Sequence, residues 1–218
     1  MLVVAIDTSS AAVTAAVAAV DDRVRTLAQR VTINPRAHGE LLAPSVAACL
    51  EEAGAAPRDL HAIVAGIGPG PFTGLRVGLA TAAAMADALG IPTYGVCSLD
   101  AIAGAVDARS LLVATDARRR EVYWARYMNG TRTDGPYVDQ PADVSTVDSV
   151  AMAGAGARLY AGVLGLPLLD ADYPEPDALV HTAADRVRAH AASEPLTPLY
   201  LRRPDAAVPH APKPVSRR

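Results

Sequence analysis

The chain opens on an unbroken apolar run, Met1 to Ile6, that stops at Asp7-Thr8-Ser9-Ser10. Such a run with a polar stop predicts a strand buried on both faces and closed by a hydroxyl-rich turn. Ala11 to Val20 and Arg23 to Thr32, separated by Asp21-Asp22, predict two more strands in hairpin order. After Asn34-Pro35 the period changes. Leu42, Val46, Cys49 and Ala53 recur at helical spacing with Gly54 and Pro57 behind them, predicting a helix from about His38 to Ala53. Leu60 to Ala65 again reads as a buried strand. It runs into Gly66-Ile67-Gly68-Pro69-Gly70-Pro71-Phe72-Thr73-Gly74-Leu75-Arg76-Val77-Gly78, where five of thirteen residues are glycine. This segment predicts a tight turn with Thr73 as a helix N-cap, and Leu75, Leu79, Ala82, Ala86 and Leu89 then form one apolar stripe.

Thr93 to Val96 predicts a short strand, and Ser98 is expected to cap a helix through about Val106. A strand hairpin followed by helix, strand, helix and strand is the layout of a ribonuclease-H-like lobe, here residues 1–107. The opening pattern returns at Leu111-Leu112-Val113-Ala114-Thr115-Asp116, followed by a strand from Glu121 to Met128. Beyond Gly130 the segments shorten, with a strand near Val150 to Ala153, a brief helix after Gly154-Ala155-Gly156, and a helix from about Asp177 to Ala192. An abbreviated second lobe over 108–203 and a flexible Pro-rich tail over 204–218 are therefore expected. The fold class is α/β, and two lobes that both begin with strand-Asp-turn suggest an actin-like (ASKHA) arrangement.

Several candidate sites stand out. Strand, Gly-rich loop and helix together leave backbone N–H groups at the positive end of a helix dipole, where a phosphate or carboxylate can dock. Asp7, Thr8, Gly68, Gly70, Thr73 and Gly74 are the candidate anion or nucleotide contacts; the competing reading is a structural turn that lets a helix pack close. The loop is neither a P-loop nor Gly-x-Gly-x-x-Gly. In the following helix Val77, Ala80, Thr81, Ala84 and Ala88 are small, and no charge falls between Arg76 and Asp87. That side needs a cover, supplied either by the His38–Ala53 helix or by a second subunit. His38 suits capping or packing better than metal binding, since no second His stands one turn away.

Composition narrows the classes. Of 218 residues 51% are hydrophobic and the formal net charge is -3, with a pI near 5.9. This is enough for a real core and lacks the basic balance of a protein that grips nucleic acid alone. Cys49 and Cys97 lack Cys-x-x-Cys spacing and read as reduced core thiols. His38, His61, His181, His190 and His210 are scattered, so no metal site is expected. No nucleophile elbow appears around Ser98. Arg118-Arg119-Arg120 reads as a solvated turn. With no basic leader and no uncharged apolar run near the roughly 20 residues that span a bilayer, a soluble cytoplasmic protein without membrane contact is expected.

The stretch Gly68 to Gly78 resembles the signature of the TsaB (YeaZ-like) family, subunits of the bacterial machinery that installs threonylcarbamoyladenosine in tRNA and paralogues of the TsaD glycoprotease family. Ala5-Ile6-Asp7-Thr8-Ser9, Arg36-Ala37-His38-Gly39-Glu40-Leu41-Leu42-Ala43-Pro44, Asp116-Ala117-Arg118, Glu121-Val122-Tyr123-Trp124-Ala125 and Pro198-Leu199-Tyr200-Leu201-Arg202 agree in order along the chain. The resemblance implies a non-catalytic scaffold that needs no cofactor of its own and pairs with a TsaD-like subunit. The implied interface is His38, Leu41, Ser45 and Ala48 on one helix with Val77, Ala80, Thr81 and Ala84 on the other. It also implies a TsaE-like ATPase partner, a homodimer when alone, tRNA reached only through the complex, and an open question of a nucleotide at a joint site with the partner. TsaD carries a His-x-x-x-His pair where this chain reads Cys97-Ser98-Leu99-Asp100-Ala101-Ile102. The alternative is an autonomous actin-like ATPase or phosphotransferase, holding a magnesium nucleotide between Asp7, Asp116 and the Gly66–Gly78 loop, although Thr8 replaces the glycine usual after Asp.

Overall fold

The computed structural model describes residues 1–202; the expected tail over 204–218 lies outside them. The elements are β1 (Leu2–Asp7), β2 (Ala12–Val20), β3 (Val24–Ile33), α1 (His38–Glu52), β4 (Ala62–Gly66), α2 (Phe72–Leu89), β5 (Thr93–Val96) and α3 (Ser98–Ala103), then β6 (Ser110–Asp116), β7 (Val122–Met128), β8 (Thr131–Asp139), β9 (Ala151–Ala153), α4 (Ala155–Leu159), α5 (Ala161–Leu164) and α6 (Pro176–Arg188).

The first sheet has the order β3-β2-β1-β4-β5, with β1 antiparallel to β2 and parallel to β4. Its central strand is apolar at every position before Asp7 because both faces are covered. Val4 and Ile6 meet Leu42, Val46 and Cys49 of α1 and Leu75, Leu79 and Ala82 of α2. Val3 and Ala5 meet Leu179, Val180, Ala183 and Val187 of α6. The helix placed by its sequence position in the second lobe therefore packs on the first sheet. Thr26 Oγ1 donates to Asp177 Oδ1 at 2.7 Å and ties α6 to β3.

The second sheet has the order β8-β7-β6-β9. β6 is antiparallel to β7 and parallel to β9, so the opening strand of each sheet has one antiparallel and one parallel neighbour. The first sheet carries one strand more. This is the actin-like two-lobe arrangement expected from the sequence, with a shortened second sheet.

Three helix boundaries differ from expectation, one of them the end of α6, which closes at Arg188 and not near Ala192. α3 stops at Ala103 because Gly104 follows and the chain tightens into three-residue turns, Ala105 N to Ile102 O and Val106 N to Ala103 O. α2 begins at Phe72 with Pro71 at its N-cap and no side-chain cap. No described helix is long and apolar enough to cross a membrane.

Candidate functional site

Parallel strands β1 and β4 end side by side, and β5 ends beside β4. Asp7, the glycine loop and Ser98 therefore converge at one edge of the sheet. Asp7 is 1% exposed. Its Oδ1 accepts from Ser9 N and Ser9 Oγ, both at 2.7 Å, and its Oδ2 accepts from Ser98 Oγ at 2.5 Å. Burial pushes the Asp7 carboxyl above its ordinary range, while the hydroxyls of Ser98 and Ser9 pull the other way. Ser98 also accepts from Gly68 N at 3.2 Å and donates its own N–H to Gly68 O at 2.8 Å. One serine thus joins the buried acid to the loop.

The glycines are explained by how close the loop lies to the Asp7–Ser10 turn. A Cβ on Gly66 would sit 1.7 Å from Asp7 Oδ2, and one on Gly70 would sit 2.0 Å from Ser9 O. Thr8 Oγ1 donates to Gly74 O at 2.7 Å and accepts from Gly78 N at 2.9 Å. Of the six candidate anion contacts, Asp7, Thr8, Gly68, Gly70 and Gly74 are buried, and Asp7, Thr8, Gly68 and Gly74 hydrogen-bond inside the chain. Thr73 is exposed in the first turn of α2 and is not its cap. Ser98 is not a cap either: the N-cap of α3 is Cys97, without a side-chain bond.

Beside this closed turn lies an open cavity of about 260 Å³ whose lining includes Ser10, Arg36, His38, Phe72, Thr73 and Arg118. His38 takes the packing role, with Nε2 2.8 Å from Ser10 O. A second cavity of about 250 Å³ shares Ser10, Pro35, Pro71 and Arg118 with the first and continues between the two sheets to Asp116, Asp172 and Tyr173.

α1 and α2 lie together on the first sheet with their outer faces uncovered. Leu41, Ser45, Ala48, Val77 and Thr81 are half-buried, whereas Ala80 and Ala84 are exposed. Ser45 Oγ donates to Leu41 O at 2.7 Å and Thr81 Oγ1 to Val77 O at 2.8 Å, so both hydroxyls are spent within their own helices. His38 differs from the other residues proposed for this face in being buried.

Two groupings were not apparent from sequence. Phe72 stacks on Tyr200 with ring centroids 5.3 Å apart, and Arg76 lies 3.8 Å over Phe72 while its Nε donates to Tyr200 Oη at 2.9 Å. The lobes are bridged where Tyr127 Oη donates to Asp100 Oδ1 at 2.8 Å, with Arg132 at 3.4 Å from the same oxygen. Burial, and then the neighbouring Asp100, pushes the Cys97 thiol up to about 11. Among the described residues no three His, Cys, Asp or Glu side chains come together as a metal site.

Comparison with known proteins places this architecture. Residues 26–167 match the family model described as TsaD, tRNA N6-adenosine threonylcarbamoyltransferase. An uncharacterized protein of Mycobacterium tuberculosis is 52% identical over 206 residues, covering 94% of this chain and 93% of that protein. One from Mycobacterium leprae is equally similar over 94% of this chain, which spans 56% of that longer protein. The tRNA threonylcarbamoyladenosine biosynthesis protein TsaB of Escherichia coli is 38% identical over 97 residues, 43% of this chain and 42% of TsaB. The crystal structure of a Pseudomonas aeruginosa protein with similarity to peptidase YeaZ superposes with a TM-score of 0.79 at 30% identity, over 92% of this chain and 99% of that one. With a family match across most of its length and a near-complete structural counterpart, the chain belongs to the TsaD family, on its YeaZ/TsaB-like branch.

Proposed function

We propose that this chain is an accessory scaffold subunit in the biosynthesis of threonylcarbamoyladenosine in tRNA, binding and supporting a TsaD-like transferase without carrying out the transfer itself. The observation that carries the reading is the outer face of α1 and α2. From Val77 to Ala86 it has no charge, its hydroxyls are satisfied internally, and small side chains let a second pair of helices approach closely. At 1.5 Å per residue α2 alone offers a strip about 27 Å long, of the right order for the ~800 Å² per partner of a standard interface. The same face would serve a homodimer when the partner is absent. The adjoining cavity at His38, Thr73 and Arg118 would then lie at the rim of the heterodimer, where a nucleotide held jointly by both subunits fits. A TsaE-like ATPase completes the assembly in this reading, and tRNA is modified only there.

The surroundings of Asp7 support this reading over an autonomous phosphotransferase. A magnesium nucleotide requires an accessible carboxylate, and both oxygens of Asp7 are committed to Ser9 and Ser98. The test is light scattering after size exclusion for the chain alone, the TsaD-like subunit alone, and the mixture. Ala84→Arg should leave the monomer within about 0.5 kcal/mol of its stability, since Ala84 is exposed. It should weaken the heterodimer at least about a hundredfold by desolvating an unpaired charge. Undiminished assembly would move the interface elsewhere.

A further inference from the structure

We infer that the exposed edge of β3 is a self-association surface, where a second copy of this chain adds its own β3 antiparallel and joins the two first sheets into one. The inference goes beyond the scaffold reading and does not depend on it, because it uses the edge of the sheet and not the outer face of α1 and α2. A sheet edge carries a row of unpaired backbone N–H and C=O groups, which folded proteins cover or interrupt. Three of the four edges here are treated in that way. Along β5, Glu194 N donates to Thr93 O at 2.9 Å, Thr93 N to Ser193 Oγ at 3.1 Å and Gly95 N to the Glu194 carboxylate at 3.2 Å. Along β9, Met152 N donates to Pro167 O and Met152 O accepts from Leu169 N, both at 2.8 Å. β8 contains Pro136, which has no N–H, and its register against β7 shifts at Arg126. β3 is different: it is ten residues long, contains no proline and is paired only with β2.

The ladder fixes which groups face outward. Asn34 N donates to Ala11 O at 2.9 Å, so Thr32, Arg30 and Ala28 are bonded to β2, while Gln29, Val31 and Ile33 turn their N–H and C=O away from it. Among the described residues those three N–H groups have no partner, and only Gln29 O is engaged, by its neighbour Arg30 Nη1 at 2.8 Å. This run is bounded on one side by the irregularity at Val17/Ala18, which leaves Leu27 without a register partner. On the other side stands Pro35, with no N–H to give. The midpoint is Val31. Antiparallel pairing about it sets Val31 against Val31 and Gln29 against Ile33 of the second copy, with about six backbone hydrogen bonds. The side chains suit this register. Val31 and Ile33, 42% and 62% exposed, lie on the face turned away from Ala28, which packs in the core with α1. Each gains a cross-strand neighbour. Charge favours a like copy over an acidic strand: the one charge from Leu27 to Ile33 is Arg30, and Glu52 already pairs with it. Centring the pairing on Arg30 would oppose two guanidinium groups; centring it on Val31 sets Arg30 against Thr32 and leaves Arg23 and Arg25 outside the paired span.

The test is sedimentation equilibrium of the isolated chain carrying Ala84→Arg, which removes association through α1 and α2 from the measurement. This protein should still dimerise within about 1–100 μM, the range of a small interface. Adding Val31→Lys brings two ammonium groups together on the symmetry axis and should weaken the dimer at least about a hundredfold. Adding Val163→Lys, at a valine of α5 that is 57% exposed, should leave it unchanged. Val31→Cys tests the register, since the two Cα atoms would lie about 5.5 Å apart, within reach of a disulfide. Mild oxidation should then give a covalent dimer, and Arg25→Cys should give none; the native Cys49 and Cys97 are buried. A monomer at every concentration in the Ala84→Arg chain overturns the inference and leaves the edge to a foreign strand. So do equal responses to Val31→Lys and Val163→Lys, or equal cross-linking at positions 31 and 25. Failure of the scaffold reading shows separately, as undiminished binding of the Ala84→Arg chain to the TsaD-like subunit.

Discussion

The Ser98 hydroxyl is the most informative single group to remove. It is buried, donates to Asp7 Oδ2 at 2.5 Å and accepts from Gly68 N at 3.2 Å. Ser98→Ala deletes a hydrogen bond to a buried carboxyl, about 1.5–3 kcal/mol when that group is ionised, and leaves the Gly68 N–H without its acceptor for about 1 kcal/mol more. A loss of about 3–4 kcal/mol is expected at pH 8. The loss should depend on pH with a definite sign. Asp7 has a folded-state pKa above its ordinary 3.8, burial being the larger cause and Ser98 the largest opposing one. A raised carboxyl favours the folded state fully below the unfolded pKa and less as pH rises through the folded value. Removing Ser98 raises that value further, so the variant forfeits more stability than the wild type as pH climbs from about 4. Urea unfolding of both proteins at pH 4.5 and pH 8, with m-values checked for equality, measures this directly. A difference under about 1 kcal/mol at pH 8, or one that fails to grow with pH, would refute the idea that Ser98 holds the buried acid.

Two further outcomes follow from the same region. Gly66→Ala places a methyl 1.7 Å from Asp7 Oδ2 and should cost more than about 4 kcal/mol; adding Asp7→Ala, which removes the clashing oxygens, should recover part of the cooperative unfolding, and no recovery would locate the conflict elsewhere. Cys97, buried and with its thiol pushed up to about 11, is only about one part in a thousand thiolate at pH 8. It should react with a disulfide reagent only after denaturation, and rapid labelling of the folded protein would contradict that environment.

The sequence made the strands legible wherever burial left a simple pattern. β1 is apolar as far as Asp7 because α1 and α2 cover one face and α6 the other, and its likeness to β6 was visible as two apolar runs ending in Asp7 and Asp116. The glycine loop was recognisable as special, although its purpose was not. Gly66 and Gly70 are glycine because Asp7 and the Ser9 backbone occupy the space a Cβ would need, and a partner about sixty residues away leaves no local trace. Ser98 was read as a cap for the same reason: its true partner lies 91 residues earlier. A small residue before a helix looks alike in either role. Likewise the exposed Phe72 acquires meaning only when Tyr200 closes on it from the far end of the chain.

The destination of α6 has the largest consequence for function. Its apolar positions announce one buried face but not which sheet it covers. By crossing back to the first sheet it seals Val3, Ala5, Ala18 and Val64 from the side opposite α1 and α2. Had it stayed with the second sheet, the first would have shown one bare face and would have needed a partner there simply to be stable. With that face closed from within, the first lobe has a complete core of its own. In the proposed scaffold reading, the outer surface of α1 and α2 could then pass from one partner to another without exposing the sheet beneath.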